Sequence, residues 1–198
     1  GAGPSASPFR MPPAMAQTPS PVDELLTLRD FVRYAVSRFA KARLTYGHGT
    51  TTALDEAAFL MLEGLSLPID ELAPWLEARL TRPERERLLA LIEARIATRK
   101  PAPYLVGKAY IQGIPFRVDE RVIVPRSYLG EMMMTGALAQ GGSGPIPDPF
   151  EISHVLDLCT GSGCLAILAA MAYPNAAVDA VDLSKEALEV AKLNVADH

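Results

Sequence analysis

Residues 155–164 read Val155-Leu-Asp-Leu-Cys-Thr-Gly-Ser-Gly-Cys164. A short run of strand formers feeds a turn with two glycines, and an apolar helical pattern opens at Cys164. Gly161 and Gly163 let the backbone take left-handed torsions and approach a ligand, while the first amides of the next helix are free to donate. Outward from this stretch the pattern predicts a strand over 154–158, a helix over 164–172, a strand over 177–182 and a helix over 185–196. That order is the opening βαβα of a doubly wound α/β domain.

Two carboxylates flank the turn. Asp182 follows Gly163 by 19 residues, where a carboxylate can accept both hydroxyls of an adenosine ribose. Asp157 precedes Gly161 by four. Gly161-x-Gly163-x-x-Ala166 also fits the dinucleotide fingerprint, which by itself is a weak signal. A dinucleotide, however, places pyrophosphate over such a turn, and Asp157 would repel it. A sulfonium cofactor carries no phosphate, and the ammonium of its methionine end favours a nearby carboxylate. The pattern therefore points to S-adenosylmethionine, with NAD and a βα turn that binds nothing as the competing readings. Gly163 is expected to keep ligand space open, so that Gly163→Val would abolish binding.

Upstream, Ala109–Gln112 and Phe116–Val118 flank Gly113-Ile-Pro115 and predict a hairpin. Val122-Ile-Val124 reads as a short β run ended by Pro125, followed by a helix over 127–138 and a flexible Gly-rich loop over 141–145. Further back the period is helical. One helix is expected from the cap at Ser20 through Leu25, Leu28, Val32, Ala35 and Phe39, and a second runs from Thr52 to Gly64. A third, short one covers 70–80. A fourth begins at the capping box Thr81-Arg-Pro-Glu84 and is stopped by Pro101 and Pro103. Residues 1–21 hold six of the 17 prolines and a single charge, Arg10, a composition that predicts a disordered arm.

Hydrophobic residues make up 49% and charged residues 21% of the 198-residue chain, which excludes wholesale disorder. Nineteen Lys and Arg against 23 Asp and Glu give a net charge of −4, unlike a globally basic nucleic-acid binder. The longest strongly apolar run, Cys164–Tyr173, is about half of the ~20 residues a bilayer span needs. No secretory leader is legible, and two cysteines make no disulfide framework. These features predict a soluble cytoplasmic protein with no membrane partner.

Asp157-Leu-Cys-Thr-Gly-Ser-Gly-Cys164 and Val178-Asp-Ala-Val-Asp-Leu-Ser184 resemble the cofactor motifs of the class I glutamine N(5)-methyltransferases, the HemK-like family. Val36-Ser-Arg-Phe39, Tyr46-Gly-His-Gly-Thr50 and Val118-Asp-Glu-Arg-Val-Ile-Val-Pro-Arg-Ser127 are similar to its PrmB-type branch. The likeness covers about residues 22–198. It implies the fold class α/β: a disordered arm (1–21), an N-terminal helical substrate-recognition domain (22–100), a β-hairpin linker (101–126), and the start of a Rossmann-like S-adenosylmethionine-dependent methyltransferase domain (127–198). It implies a cofactor site at Asp157, Cys159, Thr160, Gly161, Ser162, Gly163 and Asp182. The implied reaction is methyl transfer to a glutamine side-chain amide of the third large-subunit ribosomal protein, with no direct DNA partner.

The chain departs from the family in one respect. The Asn-Pro-Pro-Tyr segment, which in the family grips the acceptor amide after the fourth strand, is absent from these 198 residues. Pro147-Asp-Pro-Phe150 precedes the cofactor strand and reads as a turn cluster. An amide nitrogen is a poor nucleophile because its lone pair is delocalised, so its capture and alignment carry the catalysis. No catalytic residue is assigned, and the expectation is a C-terminally incomplete, inactive chain. The alternative is a non-catalytic module that binds a ribosomal protein or the cofactor only. A nucleic-acid amino-methyltransferase shares the cofactor motif, but the helical domain and acidic balance argue against it.

Other chemistry-bearing residues have simpler readings. Cys159 and Cys164 are spaced wrongly for a zinc knuckle and read as small buried residues, so no metal is expected. His48 reads as a loop histidine bonded to local backbone. Arg79, Arg82, Arg85, Arg87, Arg95, Arg99 and Lys100 read as a solvated basic helix face. The resemblance places Arg126 and Ser127 near the cofactor pocket, although a helix-start role explains Ser127 equally well.

Overall fold

The computed structural model describes residues 19–139, 144–146 and 148–198. Most of the expected arm, part of the 141–145 loop and Pro147 of the turn cluster lie outside them. The order is α1 (Pro21–Glu24), α2 (Leu28–Lys41), α3 (Ala53–Gly64), α4 (Arg82–Thr98), α5 (Ala102–Val106), β1 (Lys108–Ile111), β2 (Ile114–Arg117), α6 (Tyr128–Met134), β3 (His154–Leu158), α7 (Cys164–Ala172), β4 (Ala177–Val181) and α8 (Lys185–Asp197).

The helix expected from Ser20 to Phe39 is two helices. Leu25 leaves α1 in an extended conformation. Thr27 then caps α2, its hydroxyl oxygen accepting from the Asp30 amide at 3.3 Å. The Asp30 carboxylate accepts from the Leu26 and Thr27 amides at 2.9 Å each. These two amides hold the Asp30 carboxyl below its ordinary pKa. The break frees residues 26–28 to pair with 78–80, through Leu80 N–H to Leu26 C=O at 2.9 Å and Leu28 N–H to Ala78 C=O at 3.2 Å. That pairing also explains why the helix expected over 70–80 shrinks to a 3₁₀ turn, Ala73–Trp75.

Around α2, α3 and α4 closes one core in which Phe31, Phe39, Leu60, Met61, Leu88 and Ile92 are fully buried. Inside it Arg95 Nε donates to Glu56 Oε2 at 2.9 Å. Several of the basic residues along and just after α4 are occupied within the fold. Arg82 pairs with Asp23 and Glu86, Arg99 donates to the Ala42 and Arg43 carbonyls, and Lys100 pairs with Glu120. A solvated basic face is thus only part of the account. Left-handed Arg99 ends α4. Pro103 does not merely stop it: the ring sits in the first turn of α5, where no amide donor is needed.

β1 and β2 form a hairpin as expected, antiparallel with Ile111 opposite Ile114, but its turn is only Gln112-Gly113: Ile114 and Pro115, expected in the turn, belong to β2. Val122–Val124 is not a strand. Val122 and Val124 are buried and Ile123 exposed, so the alternation of a strand is present without a ladder. Val122 and Val124 pack instead with Ala109, Val118 and the α8 residues Ala187 and Val190, while Tyr104 Oη donates to Val122 C=O at 2.6 Å and Arg126 donates to Gly47 C=O at 2.7 Å. The helix expected over 127–138 stops at Met134, after a start capped by Ser127 Oγ on the Leu129 amide at 3.1 Å.

β3 and β4 pair in parallel, Asp157 opposite Ala180 and Leu158 opposite Val181. α7 packs on this sheet, and α8 packs on α7 and β2. The resulting β3-α7-β4-α8 order is the expected Rossmann-like opening. Among the described residues no helix is long and apolar enough to cross a membrane.

Candidate cofactor site at the β3–α7 turn

Parallel pairing carries both carboxylates to the same end of the sheet. Asp157, near the end of β3, is half-buried, and its Oδ2 accepts from the Thr160 hydroxyl at 2.6 Å. Cys159 leaves the strand exposed and left-handed, with φ 59°. This corrects its reading as a buried residue: the chain must turn sharply here, and the thiol faces outward. Cys164, the first residue of α7, is buried as expected, and burial pushes its thiol pKa up. Among the described residues no group of metal-ligating side chains is gathered.

Thr160 is buried and its amide donates to Val181 C=O at 3.0 Å, extending the ladder one step beyond β3. The Gly161 amide donates to Asp182 Oδ2 at 2.9 Å, and the Ser184 amide to Asp182 Oδ1 at 2.9 Å. The Ser184 and Gly161 amides together hold the Asp182 carboxyl below its ordinary range. A carboxylate has about four acceptor sites. Two are used here, so Asp182 stays ionised, oriented and able to accept more. All seven expected residues thus lie on one strand end, one turn and the residue just after β4.

The two glycines divide the work differently from the expectation. Both are left-handed, at φ 56° and 79°. A Cβ on Gly161 would meet nothing within 4 Å, whereas one on Gly163 would come within 3.0 Å of Ala191 Cβ and 3.2 Å of its Cα. Gly161 therefore borders open space, and Gly163 is needed for the close approach of the turn to α8. The expectation that Gly163 guards ligand space is corrected accordingly.

Sequence reasoning missed Asn194. It is fully buried on α8, and its Nδ2 donates to the Ser162 carbonyl at 2.8 Å. An Asn amid the apolar positions of a helix was the available signal, but its partners are distant in sequence. Arg126 and Ser127 are not brought into hydrogen-bond contact with the turn; they bind Gly47 and cap α6, respectively. His48 is exposed. A cavity of about 810 Å³ lies between the hairpin, α5 and α8 and is lined by none of the seven residues.

Residues 146–198 match the model of the methyltransferase small domain. The chain is 57% identical over 176 residues to the ribosomal protein uL3 glutamine methyltransferase of Bradyrhizobium diazoefficiens, covering 88% of this chain and 55% of that protein. It is 53% identical over 180 residues to the protein of that name from Burkholderia pseudomallei, covering 91% and 56%. With the Neisseria meningitidis serogroup B protein of the same name it shares 51% over 176 residues, covering 88% and 56%. The chain thus spans little more than half the length of these curated relatives. By sequence, this chain is similar to the first part of proteins named uL3 glutamine methyltransferases, and its glycine-rich turn lies within the stretch that matches the methyltransferase small domain.

Proposed function

We propose that this chain belongs to a protein-glutamine N(5)-methyltransferase that uses S-adenosylmethionine and acts on a large-subunit ribosomal protein, uL3. The observation that carries the reading is the turn itself. It is open at Gly161 and flanked by Asp157 and an oriented, ionised Asp182, in a chain more than half identical to enzymes of that name. These residues fit the cofactor. Asp182 keeps acceptor sites for ribose hydroxyls, Asp157 suits an ammonium, and an acidic turn suits a ligand without phosphate. When bound, the cofactor would supply a methyl group on a sulfonium centre. The chain's own residues bind and orient: Asp182 fixes the Gly161 amide, and Thr160 fixes Asp157.

In this reading residues 22–100 select the protein substrate, 101–126 link, and 127–198 begin the Rossmann-like methyltransferase domain. A ribosomal substrate places the protein in the cytoplasm, with neither DNA nor a membrane as partner. Exchanging the helical region for that of a release-factor methyltransferase is expected to redirect the target. The lack of an Asn-Pro-Pro-Tyr segment in these 198 residues favours a second reading for the chain taken alone, binding without transfer. Calorimetry and a labelled-methyl assay with uL3 test both. The expected result is heat with S-adenosylhomocysteine, none with NAD, and no transfer by residues 1–198. NAD binding without a response to S-adenosylhomocysteine overturns the cofactor assignment.

A further inference from the structure

Asn194 is 0% exposed, three residues before the end of α8, and its carboxamide spends both of its hydrogens. Oδ1 accepts from the Arg117 amide at 2.6 Å. Nδ2 donates to the Arg117 carbonyl at 3.0 Å and to the Ser162 carbonyl at 2.8 Å. Toward β2, then, the side chain acts as one more backbone unit, pairing the N–H and C=O of one residue as a neighbouring strand would. Toward the turn it holds the carbonyl that lies between Gly161 and Gly163. Asn is a mediocre helix former, so the helix alone gives no reason for it. The other polar ties between hairpin and α8 are exposed: the Arg117–Asp197 ion pair, and His198 Nε2 on Pro115 C=O at 2.8 Å.

The hairpin is also fastened at its other side. Tyr110 Oη donates to Glu63 Oε1 on α3, and Lys108 Nζ lies 3.4 Å from Glu63 Oε2. A hydrogen-bonded route therefore runs from the glycine-rich turn through Asn194 to the hairpin and on to the helical region. We propose that Asn194 is a positioning residue that couples the hairpin to the glycine-rich turn, so that order in one is felt in the other. Only the identity of the ligand that exploits this coupling rests on the cofactor reading above.

Removing the amide takes the partner from the part-buried N–H and C=O of Arg117 and from the buried Ser162 carbonyl, and an unmade bond of this kind weakens local closure by roughly tenfold. The test is hydrogen exchange on the whole chain, read at two amides that do not touch Asn194. These are Val118, which bonds the Gly107 carbonyl, and Gly163, which bonds the Thr160 carbonyl. In Asn194→Ala both are expected to exchange about tenfold faster while the amides of α2–α4 keep their protection. S-adenosylhomocysteine is expected to slow Val118 in the wild-type chain and not in the variant. Asn194→Asp supplies a conservative rescue. Ionised, it offers no donor to the two carbonyls, but as a neutral acid it donates to one and still accepts from the Arg117 amide. Its protection factors at Val118 and Gly163 should therefore be low at pH 8 and partly restored at pH 5, an arm that stands even if the Ala variant fails to fold. Faster exchange at one site alone, or a parallel rise through α2–α4, overturns the coupling. Coupled exchange with no response to S-adenosylhomocysteine in the wild-type chain supports the coupling and overturns the cofactor reading instead.

Discussion

The helical region and the β3–α8 region solve burial in different ways. Between Pro21 and Val106 the apolar faces of α2, α3 and α4 meet in one closed core. Even a charged pair, Glu56 and Arg95, is taken inside it at 2% and 3% side-chain exposure. From His154 onward, two strands and two helices bury one set of apolar residues, Ile167, Leu168 and Val190 among them, and leave another set in solvent. Leu156 is 59% and Leu158 65% exposed on one face of β3, and Leu183, Leu193 and Val195 are also exposed. The first region spends its sequence on internal closure. The second spends it on holding a turn, with Asp182, Asn194 and Gly163 all directed at the backbone of residues 161–163.

The largest expected effect breaks the closed core from within. Glu56→Ala strands the Arg95 guanidinium, which retains only the Thr45 carbonyl at 3.1 Å. Breaking a buried pair from one side costs about 3–5 kcal/mol. Urea denaturation should show a loss of that size, and the Glu56→Gln, Arg95→Met double variant should lose less than either partner removed alone. A loss under about 1 kcal/mol for Glu56→Ala would mean that water reaches the pair and the core is not closed.

At the turn the two glycines should separate stability from binding. Gly163→Val presses a branched side chain on α8 at a left-handed position, which should cost about 1–3 kcal/mol. Gly161→Ala meets no neighbour and should lose about 1–2 kcal/mol through its backbone alone. In affinity for S-adenosylhomocysteine the contrast sharpens for Gly161→Val, which puts a side chain on the open side of the turn, where a Cβ meets nothing within 4 Å. Equal stability losses for valine at both positions, measured by thermal melts, would refute this division.

The same contrast explains what could be read in advance. Thr52, Thr81 and the Cys164 start of α7 were legible because a cap or a period change is a local signal. The Leu25–Thr27 break was written in sequence as Thr27-x-x-Asp30, but an apolar stripe running across it hid the box. The pairing of 26–28 with 78–80 that dissolves the expected helix over 70–80 joins segments about fifty residues apart, and no local pattern announces it. Val122–Val124 shows the converse, alternation without a partner strand. At the candidate site, spacing singles out Asp157, Gly161, Gly163 and Asp182, and the family resemblance adds Cys159, Thr160 and Ser162. The roles of Asn194 and Gly163 were not legible, because both depend on how α8 lies against the turn.

Asp30 offers a gentler probe of the helical region. Its pKa is lowered by the Thr27 and Leu26 amides. A lowered carboxylate contributes stability that is present above the unfolded value and lost as pH falls through the folded one. Stability measured downward from neutrality should therefore decline below about pH 4, and Asp30→Asn should flatten that decline. The group is partly exposed, so its share should stay below the ~1 kcal/mol of a good cap. An unchanged acid limb in the variant would remove this carboxylate from the helix's support.

The smallest expected change in stability tests the bare face of β3. Leu156 and Leu158 are two residues apart and so point to the same side of the strand. Among the described residues β3 pairs with β4 alone, which leaves its other edge with unpaired amides and carbonyls beside these leucines. An apolar face next to a free edge favours pairing with another chain, and lysine is a common device against it. Since both side chains are mostly in solvent, the Leu156→Lys, Leu158→Lys double variant should change unfolding free energy by no more than about 0.5 kcal/mol. It should nevertheless shift the chain from associated to monomeric in sedimentation velocity, without altering the melting of the helical region. If the wild-type chain sediments as a monomer at tens of micromolar, or if the lysines cost well over about 1 kcal/mol, then this face is covered in solution, and the two regions are closed to the same degree.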